Sequence, residues 1–188
     1  MQIILASKSP YRKKALEILG LDFEVHPSNI DEKGIRDVNP YRLAKTLSEQ
    51  KALSVCKNFK NAIIIASDLF VVHEGRIYEK PNNEKEAFSM LKTFSNSYLD
   101  IVAGLAVYNT NTEKMLSTSE KYTVKFRELT DYEINDYITK YPVLECAASF
   151  ESEGELRFAE SICGKYPFLT SLPMNELILF LRKNGIRV

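Results

Sequence analysis

The residues able to do chemistry in this 188-residue chain lie in a few short stretches. Ser7-Lys8-Ser9-Pro10-Tyr11-Arg12-Lys13-Lys14 separates an apolar segment from the start of a helix. Serine is a favoured N-cap and proline a favoured first helical residue, and a helix N-terminus offers unpaired amides and partial positive charge to an anion. Arg12 takes the third helical position, where a self-contained capping box would carry Glu or Gln. The amides are then expected to stay open, and the guanidinium adds a fork matched to phosphate. The competing reading is an ordinary N-cap among solvated basic residues. Asp68 stands inside an apolar strand. A buried carboxylate must be paired, hydrogen-bonded or bound to a metal, because leaving it alone is costly; its other reading is a structural acid accepting backbone hydrogen bonds. Lys51 shares a helical stripe with Ala44, Leu47 and Val55, so its ammonium either snorkels to water or reaches into a site. Asp31-Glu32, in a loop, is either solvated or offers oxygen ligands to a divalent cation. Lys80, in Glu79-Lys80-Pro81, precedes a helix start and says little alone.

Several chemistries are missing. There is no GxxxxGK[ST] and no GxGxxG, and the 7 glycines are scattered singly, which excludes a glycine-rich phosphate cradle. His26 and His73 are isolated, so neither a His/Cys zinc site nor a Ser-His-Asp triad is expected. Cys56, Cys146 and Cys163 form no CxxC and are expected as small core residues in a reducing cytosol. Carboxylates, Lys/Arg and hydroxyls remain, a repertoire suited to metal-assisted phosphoryl chemistry.

These residues need elements to hold them. Residues 2–6 read as a buried strand, followed by a helix from Ser9-Pro10 that Gly20 ends. Residues 22–26 read as a strand, Pro40 to about Lys57 as a second helix, and 62–72 as a central strand buried on both faces. A third helix spans Glu84 to Phe94, and strands 99–108 and 114–126 are joined through Asn109-Thr110-Asn111-Thr112. The longest apolar run, Ile101 to Tyr108, contains Gly104. Thr130-Asp131-Tyr132-Glu133 is a capping box opening a fourth helix; 144–170 is ambiguous, and a terminal helix runs from Pro173 to Asn184, closed by Gly185. Helices and strands mix without strict alternation. The expected class is α/β, with α+β as the alternative, around a mixed central sheet flanked by helices.

At 21.5 kDa, roughly 70% of the unfolded surface is expected to be buried, enough for one domain spanning 1–188 without disulfides. Apolar residues are 45% and charged residues 27%, which excludes a disordered chain. Lys+Arg 25 balances Asp+Glu 25, so binding of nucleic acid through overall charge is not expected. No apolar run approaches the ~18 residues of a membrane span, and the N-terminal residues do not read as a signal peptide.

Taken in order, Ala6-Ser7-Lys8-Ser9-Pro10, Asp31-Glu32, Lys51-Ala52, Ser67-Asp68 and Glu79-Lys80-Pro81 with Glu86-Ala87 resemble the Maf family of nucleoside triphosphate pyrophosphatases. The resemblance runs from Ile3 to near the C-terminus. It implies hydrolysis of a nucleoside triphosphate to the monophosphate and pyrophosphate with a divalent metal cation, Mg²⁺ or Mn²⁺. It also implies an elongated two-lobed fold with a cleft. By the same resemblance Asp68 matches the proton acceptor that activates water, and Glu32 and Asp68 are the expected metal ligands. Ser7, Ser9, Arg12, Lys51 and Lys80 surround the phosphates, and Lys13 stands where the family usually has a second Arg.

The chain looks most like the 7-methyl-GTP branch. Tyr11, Leu69 and Glu153 stand at the specificity positions, Glu153 within Cys146-Ala147-Ala148-Ser149-Phe150-Glu151-Ser152-Glu153-Gly154. A carboxylate can accept guanine N–H donors, and an aromatic ring can stack on a cationic methylated purine. Leu69 departs from the Gln common in this branch, and Ala148 and Ser171 replace glycines. A nucleotide pool house-cleaning enzyme in the cytoplasm is expected, binding neither nucleic acid nor membrane, with a homodimer as a candidate assembly. The alternative, motivated by Lys13, Leu69 and Ser171, is a non-catalytic nucleotide-binding regulator of septum formation.

Overall fold

Alternation along the first strands sets the architecture. In the computed structural model, which describes residues 1–164 and 172–188, β1 (Gln2–Leu5) pairs in parallel with β2 (Glu24–Val25) on one side and β3 (Ala62–His73) on the other. Parallel neighbours require crossover connections, and helices supply them. Helix α1 (Pro10–Ile18) lies between β1 and β2, and α2 (Pro40–Cys56) between β2 and β3. Ser9 caps α1 with Pro10 in its first turn, and Gly20 follows its end at φ 66, a conformation that costs glycine nothing. Asn39 caps α2, its side chain accepting from the Tyr41 and Arg42 amides.

Strand β4 (Arg76–Tyr78) turns back antiparallel on β3. Then come α3 (Glu84–Phe94), β5 (Tyr98–Asn109), β6 (Lys114–Phe126) and α4 (Asp131–Lys140), the last opened by the expected Thr130/Glu133 capping box. Helix α5 (Ser152–Phe158), β7 (Ala159–Gly164) and α6 (Met174–Lys183) complete the chain. Among the described residues the sheet is 7-stranded and mixed, in the order β2-β1-β3-β5-β6-β7 with β4 on β3. The fold is α/β around a mixed sheet with flanking helices.

Two expectations change. Up to residue 164 the ambiguous stretch resolves into single 3-10 turns at Val143–Glu145 and Ala147–Ser149, then α5 and β7, while its residues 165–170 lie outside those described. The cysteines are not core residues: Cys56 and Cys146 are half-buried and Cys163 is exposed. Cys163 lies on β7, at the end of the strand order, where one side of the strand has no neighbouring strand among the described residues. β4 is too short to have been read from alternation.

Over the described residues the chain divides into two compact units, one of 1–69, 103–120 and 172–188, the other of 70–102 and 121–164. In the first, residues of odd number (Ile3, Leu5, Ile63, Ile65, Leu105, Val107) pack with Ala15 and Leu16 of α1 and Leu177 and Leu181 of α6. Residues of even number (Ile4, Ala6, Ala62, Ile64, Ala66, Ala106) pack with Ala52 and Val55 of α2. The two-residue period of a strand thus sends one set to each face. In the second unit an aromatic cluster forms the core: Phe126 lies 5.1 Å from Phe150 and 5.6 Å from Phe158, and Tyr137 4.8 Å from Phe158, all edge-on or tilted.

Candidate active site

Strand parity places the central acid. Asp68 lies two residues beyond Ala66, so it continues the face of β3 on which α2 packs. On α2 the buried stripe runs Leu43, Ala44, Leu47, Ser48, Lys51, Ala52 and Val55. Lys51 is in that stripe, and its Nζ donates a hydrogen bond to Asp68 Oδ1. Each of the two residues is only 6% exposed. The same ammonium lies 3.1 Å from Glu32 Oε1. Two acids from different loops and strands therefore converge on one cation.

The neighbouring acids Asp31 and Glu32 divide their work. Asp31 Oδ1 accepts hydrogen bonds from the amides of Lys33 at 3.1 Å and Gly34 at 3.3 Å, capping the 3-10 turn Glu32–Gly34. With Asp31 holding the turn, Glu32 is the carboxylate presented to Lys51.

The turn before α1 supplies the second cation. Arg12 Nη1 donates to Ser7 Oγ at 3.3 Å, and Ser7 Oγ also accepts from the Ser9 amide at 3.2 Å. Arg12 Nε is buried and has no hydrogen-bond partner among the described residues. The sequence led to the expectation of open amides at this helix start, and the structure corrects it: Ser9 Oγ accepts from the Arg12 amide at 3.5 Å, a long bond that leaves the cap weakly closed.

The electrostatics join these groups. Burial pushes the Asp68 carboxyl above the usual carboxylate range; Lys51 and Arg12 pull the other way, and Glu32 adds to the rise. Burial lowers the Arg12 guanidinium, opposed by the charges of Asp68 and Glu32. The basic turn, the strand acid and the helix lysine thus feel one another within a single unit.

Of the residues expected from the sequence, Ser7, Ser9, Arg12, Glu32, Lys51 and Asp68 come together or are linked through Arg12. Lys13 does not join them: it is exposed, 4.0 Å from Glu17 one helical turn on. Tyr11 and Leu69 are half-buried beside Arg12 and Asp68 in the chain. Lys80 belongs to the second unit, where it follows β4 and is exposed. Ser171 lies outside the described residues, as does the side chain of Glu153. His26, 3.2 Å from Glu24, and His73, whose Nδ1 bonds the Tyr98 carbonyl oxygen at 3.1 Å, each have a local partner and form no triad.

Gly104 and Ser67 are not among the residues expected at the site. Ser67 Oγ donates to the Gly104 carbonyl oxygen at 2.6 Å, next to Asp68 in the chain. An isolated glycine inside a strand pattern is the sequence signal for a close backbone approach.

Chemically, the arrangement is a buried base flanked by two cations, one of them with a guanidinium donor that has no partner among the described residues. It is matched to a polyanion and a proton transfer. The model of the Maf-like protein family matches residues 2–184. A protein of Vibrio vulnificus (strain CMCP6) named 7-methyl-GTP pyrophosphatase is 36% identical over 189 aligned residues, covering 100% of this chain and 97% of that protein. One of Idiomarina loihiensis with the same name is 37% identical over 190, covering 99% and 96%. With the match running through the basic turn, Glu32, Lys51 and Asp68 alike, this chain belongs to the Maf family.

Proposed function

We propose that the protein is a nucleoside triphosphate pyrophosphatase, hydrolysing an NTP to the monophosphate and pyrophosphate as part of nucleotide house-cleaning. The observation that carries this reading is the buried Asp68 carboxylate paired with Lys51 beside the Arg12 guanidinium, whose Nε has no partner among the described residues. Asp68 takes the proton of the water that attacks the phosphorus; its raised pKa makes it a stronger base than a solvated carboxylate. Arg12 and Lys51 offset the charge of the pyrophosphate that departs. Phosphoryl transfer is mostly positioning and charge stabilisation, which these groups supply.

A divalent cation, Mg²⁺ or Mn²⁺, fits the donor set. Glu32 and Asp68 already converge on one positive charge, the Lys51 ammonium. No group of three or more acidic, His or Cys ligands exists among the described residues, and Mg²⁺ is commonly held by one or two carboxylates together with substrate phosphates. Glu32 and Asp68 would hold the ion, which when bound clamps phosphate oxygens and makes water more acidic.

The substrate we propose is 7-methyl-GTP or another modified purine nucleotide, the activity in the names of both relatives. By the sequence resemblance, Tyr11 would stack on a cationic purine base. The non-catalytic regulator is not favoured: the acid such a protein has no need to bury is kept here with its lysine. The test is pyrophosphate release from a nucleotide panel with Mg²⁺ or Mn²⁺. Turnover is expected for the wild type, and Asp68→Asn should lose about 100- to 10,000-fold, the range for removing a general base. Undiminished turnover in Asp68→Asn would remove this mechanism.

A further inference from the structure

Resting on that reading of Lys51 and Asp68, we infer that Gly104 is a positioning residue for the reaction: its bare Cα sets how closely α2 approaches the sheet, and hence where Lys51 stands against Asp68. Gly104 lies on β5, beside β3 in the sheet, with the same parity as Ala106, whose side chain packs with the α2 residues. A Cβ at Gly104 would collide with the backbone carbonyl of Ala44 and lie 2.6 Å from Ser48 Oγ. At this point the helix backbone itself rests on the strand. Ala62, Ala66 and Ala106 cover the same face with side chains; Gly104 has none.

The contact cannot be relieved by a rotamer change, because the atom in the way is a main-chain carbonyl. Ser48 Oγ donates to that same Ala44 oxygen at 2.7 Å, so the turn of α2 at the contact is braced from within. Ala44 and Lys51 are two turns apart on one helix, roughly 10 Å along its axis. A displacement at Ala44 is carried to Lys51 by a rigid element. The other half of the pair is tied to the same residue, since the Ser67 hydroxyl, one residue before Asp68, donates to the Gly104 carbonyl oxygen. One glycine is thus in contact with the helix that carries the cation and with the strand that carries the base, all within the first unit.

The test uses the whole protein, with Gly104→Ala and, because that variant strains the core, Ser67→Ala as the second. Two readouts are taken at one pH: the ¹⁵N resonance of the Lys51 ammonium, assigned by its loss in Lys51→Met, and the KM and kcat for the triphosphate. In folded Gly104→Ala the Lys51 resonance should move toward that of solvent-exposed lysines, with KM raised and kcat/KM lower by roughly 10- to 100-fold, the scale of an ångström's misplacement. Ser67→Ala should move both in the same direction by a smaller step. A mere loss of folded protein lowers kcat alone and leaves KM and the resonance where they are. Folded Gly104→Ala with an unmoved Lys51 resonance and wild-type KM overturns the inference. Should that variant not fold, Ser67→Ala with both readouts unchanged overturns it equally. If the wild type releases no pyrophosphate from any nucleotide, the catalytic reading falls, and the Lys51 resonance still decides whether Gly104 positions the pair.

Discussion

Lys51 and Asp68 occupy a place that neither could hold alone. A charge buried without its partner costs several kcal/mol, and breaking such a pair costs about 3–5 kcal/mol, so each residue explains the other. Asp31 and Glu32 make the same point from the opposite side: they are adjacent and chemically alike, yet one is spent on capping a turn and the other faces Lys51. Arg12 is a site residue whose bonding is left incomplete, with a buried Nε that has no partner among the described residues and is open to an incoming acceptor. Arg12→Lys keeps the charge and loses that donor. A charge-assisted hydrogen bond contributes about 1.5–3 kcal/mol, so KM for the nucleotide should rise by roughly 10- to 100-fold while kcat changes much less. Steady-state pyrophosphate release measures both, and an unchanged KM would show that Nε meets no phosphate.

At the scale of elements, β3 and α2 carry the chemistry because each has one face against the other. The second unit has its own element-scale device. Glu155 of α5 is 4% exposed and accepts a hydrogen bond from Tyr122 of β6 at 2.7 Å through Oε1, while its Oε2 is buried and unpartnered among the described residues. Burial pushes this carboxyl up to about 8 from 4.5, against the hydrogen bond from Tyr122; burial and the Glu155 carboxyl raise the Tyr122 phenol in turn. The folded form therefore holds a proton that the unfolded chain has released. Between about pH 4.5 and about pH 8 stability should decline as pH rises, and above about 8 it should level off. At about 1.4 kcal/mol per pKa unit the loss is a few kcal/mol. Urea unfolding from pH 4.5 to 9 would show the slope, and Glu155→Gln, neutral at every pH and still able to accept from Tyr122, should flatten it. A slope unaffected by that change would place its origin elsewhere.

For the whole molecule, a formal net charge of +0 means that attraction for a polyanion is local to the basic turn and Lys51 rather than a property of the entire surface. Among the described residues the cores of both units are apolar and aromatic and hold no cluster of three or more metal-ligating side chains, so a divalent cation is expected to serve the reaction and not the fold. Chelation by EDTA should abolish pyrophosphate release, excess Mg²⁺ or Mn²⁺ should restore it, and far-UV circular dichroism should stay the same throughout. Loss of the dichroism with the metal would make the ion structural. No helix among the described residues is long and apolar enough to cross a membrane.

The chain's local chemistry was enough to mark most of the elements and the acid in β3. Ser9-Pro10, the Thr130/Glu133 box and the alternation through Ile63 to Ala66 act over a turn or a strand, and an acid in an apolar run is conspicuous wherever it folds. β4 and the turns at Val143–Glu145 and Ala147–Ser149 are too short for a period to form. What only tertiary structure decided is which groups meet. That Glu32 rather than Asp31 reaches Lys51, that Lys13 turns to Glu17, and that Gly104 admits the backbone of α2 depend on contacts between residues far apart in the chain. Spacing along a sequence records only the near neighbours. The approach of a helix to a sheet is set by side-chain volume on both, and a glycine contributes to it by what it lacks.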